Sequence, residues 1–169
     1  MRAPVSAYIG LGANLNHPAA QLRAAFAELA QLPDTRVTSQ SRCYLSKPLG
    51  PKDQPDYLNA VAALETRLDP QALMRHLLAI ETRHGRQRSP DSRWGARSLD
   101  LDLLVYDALV LQTSELTLPH PELHKRSFVL YPLAELAPDL VIPGHGPVRV
   151  LREHCSSPAI RLYEEGAHA

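Results

Sequence analysis

The sequence predicts an α+β domain, and three observations favour that class. Some segments carry apolar residues at alternate positions, others carry them at helical spacing, and prolines and glycines separate the two kinds. With 169 residues, the chain is long enough for one domain with a proper core and short for two. We therefore expect a single domain that spans residues 1–169.

The first part of the chain predicts a strand, a helix and a second strand. Residues 5–11 are typical of a short buried strand, and residues 12–14 have the composition of a turn. The alanine-rich segment 18–32 has helical spacing, and Pro33 ends it. Residues 36–46 alternate as in a strand.

The next part predicts a strand, a helix and a last strand. Residues 57–66 have strand character, and Asp69 followed by Pro70 is typical of a helix start. Gly85 ends that helix, and a strand follows from residue 99. The whole order predicts a ferredoxin-like βαββαβ core with additional C-terminal helical and loop elements.

Two acidic residues lie within the last of these strands. Asp100 and Asp102 occupy alternate positions, so both carboxylates are expected on one face with Cα atoms about 6.5 Å apart. Strict alternation also groups Val105 with the buried leucines and Tyr106 with the aspartates. The two aspartates could belong to an edge strand with one face exposed to solvent, or they could form salt bridges to nearby arginines. A divalent-metal site is the functional alternative.

The segment before the aspartates is crowded with arginines. They are Arg83, Arg86, Arg88, Arg93 and Arg97. Guanidinium groups suit phosphate oxygens, and Mg²⁺ takes one or two carboxylates together with phosphate oxygens. The combination is as compatible with a metal–phosphate site as with a purely structural role, and an arginine-rich loop alone is more often a solvated surface or an RNA contact.

Several other chemistries are disfavoured. Leu15 replaces the third glycine of a dinucleotide-binding motif, and no phosphate-loop motif occurs. His120 and His124 are four residues apart, but a proline intervenes and a third zinc ligand is lacking. The formal net charge of +0 gives no general attraction to nucleic acid or membranes. Two cysteines without metal-type spacing favour a reduced, cytoplasmic protein.

The segment "RWGARSLDLDLL" resembles a signature of the 6-hydroxymethyl-7,8-dihydropterin pyrophosphokinase family of folate biosynthesis. Five further segments resemble the same family in the same order: "YIGLGANL", "PLGPKDQPDYLNAVAALET", "GRQRS", "LTLPHPELHKRSFVLYPL" and "ELAPDLVIP". The match covers about residues 8–143 and leaves 144–169 as an extension. The resemblance implies an enzyme that transfers the diphosphate of ATP to the pterin hydroxymethyl oxygen and releases AMP.

The resemblance also implies roles for individual residues. Two Mg²⁺ ions would be held by Asp100 and Asp102. The catalytic set would be Asp100, Asp102, Arg86 and Arg97. ATP would contact Arg86, Arg88, Arg93, Trp94, Arg97, Leu103, Thr117, His120 and Arg126. The pterin would contact Gly12, Ser46, Lys47, Leu49, Tyr57, Asn59, Trp94 and Phe128.

Two other functions are compatible with parts of the pattern. A D-x-D nucleotidyltransferase would use the same carboxylates and Mg²⁺ but would release pyrophosphate. An RNA-binding module of the same topology would expose aromatic residues on its central strands, and this sequence lacks that pattern. We therefore expect small-molecule substrates, no nucleic-acid or membrane partner, and a monomer.

Overall fold

A computed structural model describes residues 3–15, 17–47, 55–85, 99–156 and 160–164 of the chain. The first half contains β1 (Val5–Ala13), α1 (Pro18–Ala30), β2 (Thr35–Gln40), β3 (Tyr44–Ser46), β4 (Tyr57–Thr66) and α2 (Pro70–Arg83). The second half contains β5 (Asp100–Tyr106), β6 (Leu111–Gln112), β7 (Thr117–Leu118), α3 (Ser127–Leu136), β8 (Val141–Ile142), β9 (Gly146–Pro147), α4 (Val148–Glu153) and β10 (Arg161–Leu162).

The main sheet is antiparallel and has the order β10-β3-β4-β1-β5, and β2 also pairs with β4. Strands β6 and β7 form one small hairpin, and β8 and β9 form another. The sequence predicts an α+β domain, and the combination of helices with an antiparallel sheet confirms this class. No helix in the described part of the chain is both long and apolar enough to cross a membrane.

Each face of the main sheet carries its own hydrophobic core. The first core packs α1 and α2 against the sheet and includes Ile9, Leu29 and Leu77. The second core packs α3 and α4 against the other face and includes Val61 and Leu130. The sheet is thus a middle layer with apolar residues on both sides, which explains the nearly continuous burial of β4.

The helix signals in the sequence are confirmed. The Asp69 carboxylate accepts the N–H of Ala72 at 2.7 Å and caps α2, which begins at Pro70. Gly85 follows the helix with a φ of 87°, a left-handed conformation that favours glycine. Pro33 lies just beyond the end of α1.

The predicted strand over residues 36–46 is divided into β2 and β3. Ser41 lies between them, and its hydroxyl accepts the N–H of Val61 at 2.9 Å. A side chain replaces a backbone acceptor at this point, which interrupts the regular ladder. The C-terminal extension also contributes to the sheet, because β10 pairs with β3.

A β-bulge changes the second half of β5. Tyr8 pairs with Val105 and Ile9 pairs with Leu103, so Leu104 has no opposite residue in β1. The extra residue reverses the alternation beyond it. Val105 therefore packs in the second core and Tyr106 in the first, opposite to the strict alternation predicted from the sequence.

Candidate active site

Asp100 and Asp102 lie half-buried at the start of β5, each opposite a glycine of β1. Asp100 pairs with Gly12 and Asp102 pairs with Gly10. Residues that are directly opposite in an antiparallel pair share a face, and Gly10 lies opposite Val61 of the second core. Both carboxylates therefore share the face that carries α3, as the alternation predicts. The glycines place no side chain beside them.

The row that contains Asp100 continues through Gly12 to Asn59 on β4 and Tyr44 on β3. The Nδ2 group of Asn59 donates to the Ser46 hydroxyl at 2.7 Å and to the Tyr44 carbonyl at 3.2 Å. A Cβ atom added at Gly12 would lie 3.4 Å from Oδ1 of Asn59. The amide donors are thus engaged within the protein, and the acceptor oxygen lies beside the place that a Cβ atom of residue 12 would occupy. Gly12 belongs to β1 rather than to the predicted turn.

His120 is positioned by two backbone contacts. Its N–H donates to the carbonyl of Leu104, the bulge residue, at 2.9 Å, and its Nδ1 accepts the N–H of Glu122 at 3.2 Å. Burial lowers the pKa of His120; Asp102 and Glu122 oppose this effect, and Arg126 adds to it. The imidazole is therefore neutral at neutral pH. Its proton is on Nε2, because Nδ1 is an acceptor.

Arg126 and Phe128 lie at the start of α3. The Cζ atom of Arg126 is 5.6 Å from the centre of the Phe128 ring, within the range of a cation–π contact. Phe128 is half-buried and packs against the second core. Both residues are thus on the side of the sheet that carries the aspartates. Thr117 is half-buried in β7, the hairpin strand that packs beside β5.

Tyr57 and Ser46 lie opposite each other where β4 begins and β3 ends. Tyr57 is half-buried and shares a face with Asn59, because the two are two residues apart on one strand. Lys47 is exposed, and its Nζ is 3.8 Å from Oδ1 of Asp56. A nearby cavity of about 170 Å³ is lined by Leu45, Ser46, Lys47, Asp56, Ile160 and Arg161.

The donor set of the aspartate pair suits a cation that is shared with a substrate. Among the described residues, no group of three or more His, Cys, Asp or Glu side chains could hold a metal ion. Two carboxylates supply part of an octahedral shell, and Mg²⁺ commonly completes its shell with waters and phosphate oxygens. Gly12 adds no side chain beside Asp100, whereas the Leu104 side chain packs against Gly10. Asp100 and Asp102 therefore fit Mg²⁺ that arrives with a polyphosphate.

The remaining predicted site residues either pack on the other face of the sheet or lie outside the described part of the chain. Leu103 is 3% exposed and packs in the first core, away from the aspartate face. A nucleotide bound on the aspartate face would therefore reach only the backbone of Leu103. Six predicted residues lie outside the described part of the chain: Leu49, Arg86, Arg88, Arg93, Trp94 and Arg97.

Sequence reasoning missed Glu81, a buried acid on α2 that contacts β5. The carboxylate of Glu81 accepts the N–H of Leu101, between the two aspartates, at 2.7 Å. A signal was present in the sequence, because Glu81 is four residues after Leu77 on the apolar face of the helix. An acid at that spacing is unusual enough to mark a buried polar contact.

Comparisons with known proteins identify the family of the chain. The family model described as 7,8-dihydro-6-hydroxymethylpterin-pyrophosphokinase (HPPK) matches residues 8–138. The chain is 51% identical over 140 residues to the 2-amino-4-hydroxy-6-hydroxymethyldihydropteridine pyrophosphokinase of Haemophilus influenzae, covering 83% of this chain and 86% of that protein. It is 49% identical over 136 residues to the protein of the same name from Pseudomonas aeruginosa, covering 80% of this chain and 83% of the relative.

A solved structure shares the fold at low sequence identity. The crystal structure of Plasmodium falciparum HPPK-DHPS with pteroate matches with a TM-score of 0.71 and 12% identity. The match covers 90% of this chain and 42% of that longer chain. The family match extends over most of the chain and includes both aspartates, Asn59 and His120. The chain therefore belongs to the 7,8-dihydro-6-hydroxymethylpterin-pyrophosphokinase family and is a pyrophosphokinase enzyme of folate biosynthesis.

Proposed function

We propose that the enzyme transfers the diphosphate of ATP to the hydroxymethyl oxygen of 6-hydroxymethyl-7,8-dihydropterin, giving the pterin diphosphate and AMP. The observation that carries this proposal is the row Asp100–Gly12–Asn59 across three strands. Neighbouring strands lie about 4.8 Å apart. The backbones of Asp100 and Asn59, which are two strands apart in this row, are therefore separated by about 10 Å. A flat heterocycle recognised at the amide could present a hydroxymethyl group near the carboxylate.

The pterin side would combine one polar contact with stacking. The Oδ1 acceptor of Asn59 suits an N–H group on the heterocycle, since the amide donors are already engaged. Tyr57 and Phe128 would stack on the two faces of the ring. Backbone groups near Ser46 and Leu49 would supply further contacts.

The nucleotide side would combine one neutral donor with several cations. Nε2–H of His120 would donate to a phosphate oxygen, and Arg126 would add a guanidinium. Thr117 would lie toward the nucleoside. The family resemblance adds the phosphate contacts and loop residues Arg86, Arg88, Arg93, Trp94 and Arg97.

The reaction is a substitution at the β-phosphorus of ATP. The pterin oxygen forms a bond to this phosphorus, the bond from it to the α,β-bridging oxygen breaks, and AMP leaves with that oxygen. The hydroxyl proton passes to solvent, and no dedicated general base is assigned. Asp100 and Asp102 would hold two Mg²⁺ ions, which when bound neutralise charge on the phosphates. The arginines and His120 would position the triphosphate for in-line attack.

A product assay with positionally labelled ATP tests the proposal. The protein is incubated with Mg²⁺, the pterin and ATP labelled at either the α- or the γ-phosphate. Diphosphoryl transfer places the γ label in the pterin product and leaves the α label in AMP. A nucleotidyl transfer would do the reverse and release labelled pyrophosphate. Formation of ADP, or of AMP without the pterin, would contradict the assigned reaction.

We also propose the finer description of the fold and its setting. The order β5-β1-β4 with β2 and β3 beyond it, and with α1 and α2 on one face, supports the ferredoxin-like βαββαβ arrangement. The participation of β10 in the main sheet supports a single catalytic domain over residues 1–169. The substrates would be small molecules, with no nucleic-acid partner, and the enzyme would act as a cytoplasmic monomer.

A further inference from the structure

Glu81 is a buried acid whose contact lies at the centre of the metal-binding strand. The residue is 1% exposed on α2, and its Oε2 accepts the backbone N–H of Leu101 at 2.7 Å. Leu101 lies between Asp100 and Asp102, and its own side chain is 1% exposed in the first core. The hydrogen bond therefore acts on the backbone at the midpoint of the aspartate pair.

The position of β5 in the sheet explains why this contact matters. In the described part of the chain, β1 is the only strand that forms a hydrogen-bonded ladder with β5, so the other edge of β5 has no ladder partner there. Alternate N–H groups along that edge point away from β1. A buried N–H without an acceptor is unfavourable, and Glu81 supplies the acceptor from α2. The carboxylate thus replaces a missing neighbouring strand at this one residue.

We propose that Glu81 is a positioning residue that fixes the orientation of Asp100 and Asp102 for a divalent cation. The inference rests on the proposed function, in which these aspartates hold Mg²⁺. Backbone rotation at Leu101 would alter the directions of both carboxylates together, because they flank it on the same face. Groups that orient metal ligands commonly change metal affinity by about 10- to 100-fold when they are removed.

The test compares cation binding in three variants with the wild-type enzyme. E81M keeps a similar side-chain volume without a carboxylate, and E81Q retains an oxygen that can accept the Leu101 N–H. T66V is the matched control, because Thr66 is also fully buried and its hydroxyl accepts the N–H of Leu68 at 3.1 Å. Thr66 pairs with Val5 at the opposite end of the sheet from the aspartates.

Binding of Mn²⁺ together with a non-hydrolysable methylene analogue of ATP is measured by electron paramagnetic resonance. We expect E81M to weaken Mn²⁺ binding by about 10- to 100-fold, and E81Q and T66V to remain within about threefold of wild type. Unchanged binding in E81M would overturn the proposal. Equal weakening in E81Q and E81M would also overturn it, because charge rather than the hydrogen bond would then be responsible.

Two further measurements keep the outcome decisive. If E81M does not fold, E81D takes its place, since it keeps the charge but withdraws the acceptor by one methylene; wild-type binding in E81D would contradict the inference. The Mn²⁺ assay requires neither pterin nor turnover. Absence of AMP formation by the wild-type enzyme would therefore reject the proposed reaction separately from the role of Glu81.

Discussion

The guanidinium of Arg126 lies over the ring of Phe128, with 5.6 Å between Cζ and the ring centre. In the proposed function, Arg126 contacts phosphate and Phe128 stacks on the pterin. The contact therefore joins the two substrate subsites through neighbouring residues of one segment. Binding of one substrate is expected to influence the other through this pair.

The variant R126A should weaken the binding of both substrates, and the effect on ATP should be larger than the effect on the pterin. Loss of a charged hydrogen bond costs about 1.5–3 kcal/mol, which corresponds to roughly 10- to 100-fold weaker ATP binding. Loss of the cation–π contact costs about 0.5–1 kcal/mol, or roughly two- to fivefold for the pterin. Calorimetric titration measures both affinities. The control is R152A, which removes a comparable contact to Tyr131 at 4.6 Å; an effect of equal size there would argue against the coupling.

The variant D102A should abolish turnover and leave the fold intact. Asp102 is half-buried at the start of an edge strand, so its truncation opens no core cavity. Loss of a metal ligand removes several kcal/mol of transition-state stabilisation, which is about a thousandfold or more in rate. Initial rates and thermal unfolding are measured together with the control D139N, whose side chain is 88% exposed. Wild-type activity in D102A would remove the metal assignment.

The stability of the enzyme should decline in mildly acidic solution because of His120. Burial lowers the pKa of this histidine below its usual value of about 6.5, so the unfolded state binds the proton more readily than the folded state. The contribution of His120 to the free energy of unfolding is fully present above about pH 6.5. It is lost as the pH falls toward the lowered pKa of the folded state. Denaturant unfolding between about pH 5 and 7.5 measures the effect.

The control for this pH dependence is H120N. Its side-chain oxygen can replace Nδ1 as the acceptor for the Glu122 N–H, but it does not titrate. The slope of stability against pH should therefore be smaller in H120N than in wild type over the same range. Identical slopes in both proteins would show that another group causes the decline.

The variant G12A should weaken pterin binding more than ATP binding. The added Cβ would lie 3.4 Å from Oδ1 of Asn59, at the position where the pterin is proposed to meet that oxygen. Displacement of one hydrogen bond costs about 1–1.5 kcal/mol, or roughly tenfold in affinity. In the comparison variant G10A, the Cβ meets the flexible end of Leu104 at 3.4 Å. Pterin affinity should change little in G10A; the reverse order would contradict the position assigned to the pterin.

The sequence predicted the features that depend on local patterns. The cap of Asp69, the end of α2 before Gly85 and the shared face of Asp100 and Asp102 follow from spacing and residue type, and the structure agrees. These features depend on one element at a time. Neighbouring strands and helices do not change them.

Features that depend on contacts between elements could not be predicted. The bulge that reverses Val105 and Tyr106 depends on pairing with β1, and the division of segment 36–46 depends on the Ser41–Val61 contact. The alternation predicted the buried side of Leu103, and its contact with the nucleotide was implied only by the family resemblance. The addition of β10 to the sheet depends on residues far apart in sequence.

The bulge in β5 restricts where related chains can gain or lose residues. Leu104 packs against Gly10 with its side chain and holds the His120 N–H with its carbonyl. One residue deleted or inserted between Asp102 and Val105 would turn either the aspartates or the rest of the strand to the opposite face. Insertions and deletions are therefore expected in the loops and not in this segment. Another large apolar residue could replace Leu104, since the constraint acts on chain length rather than on its identity.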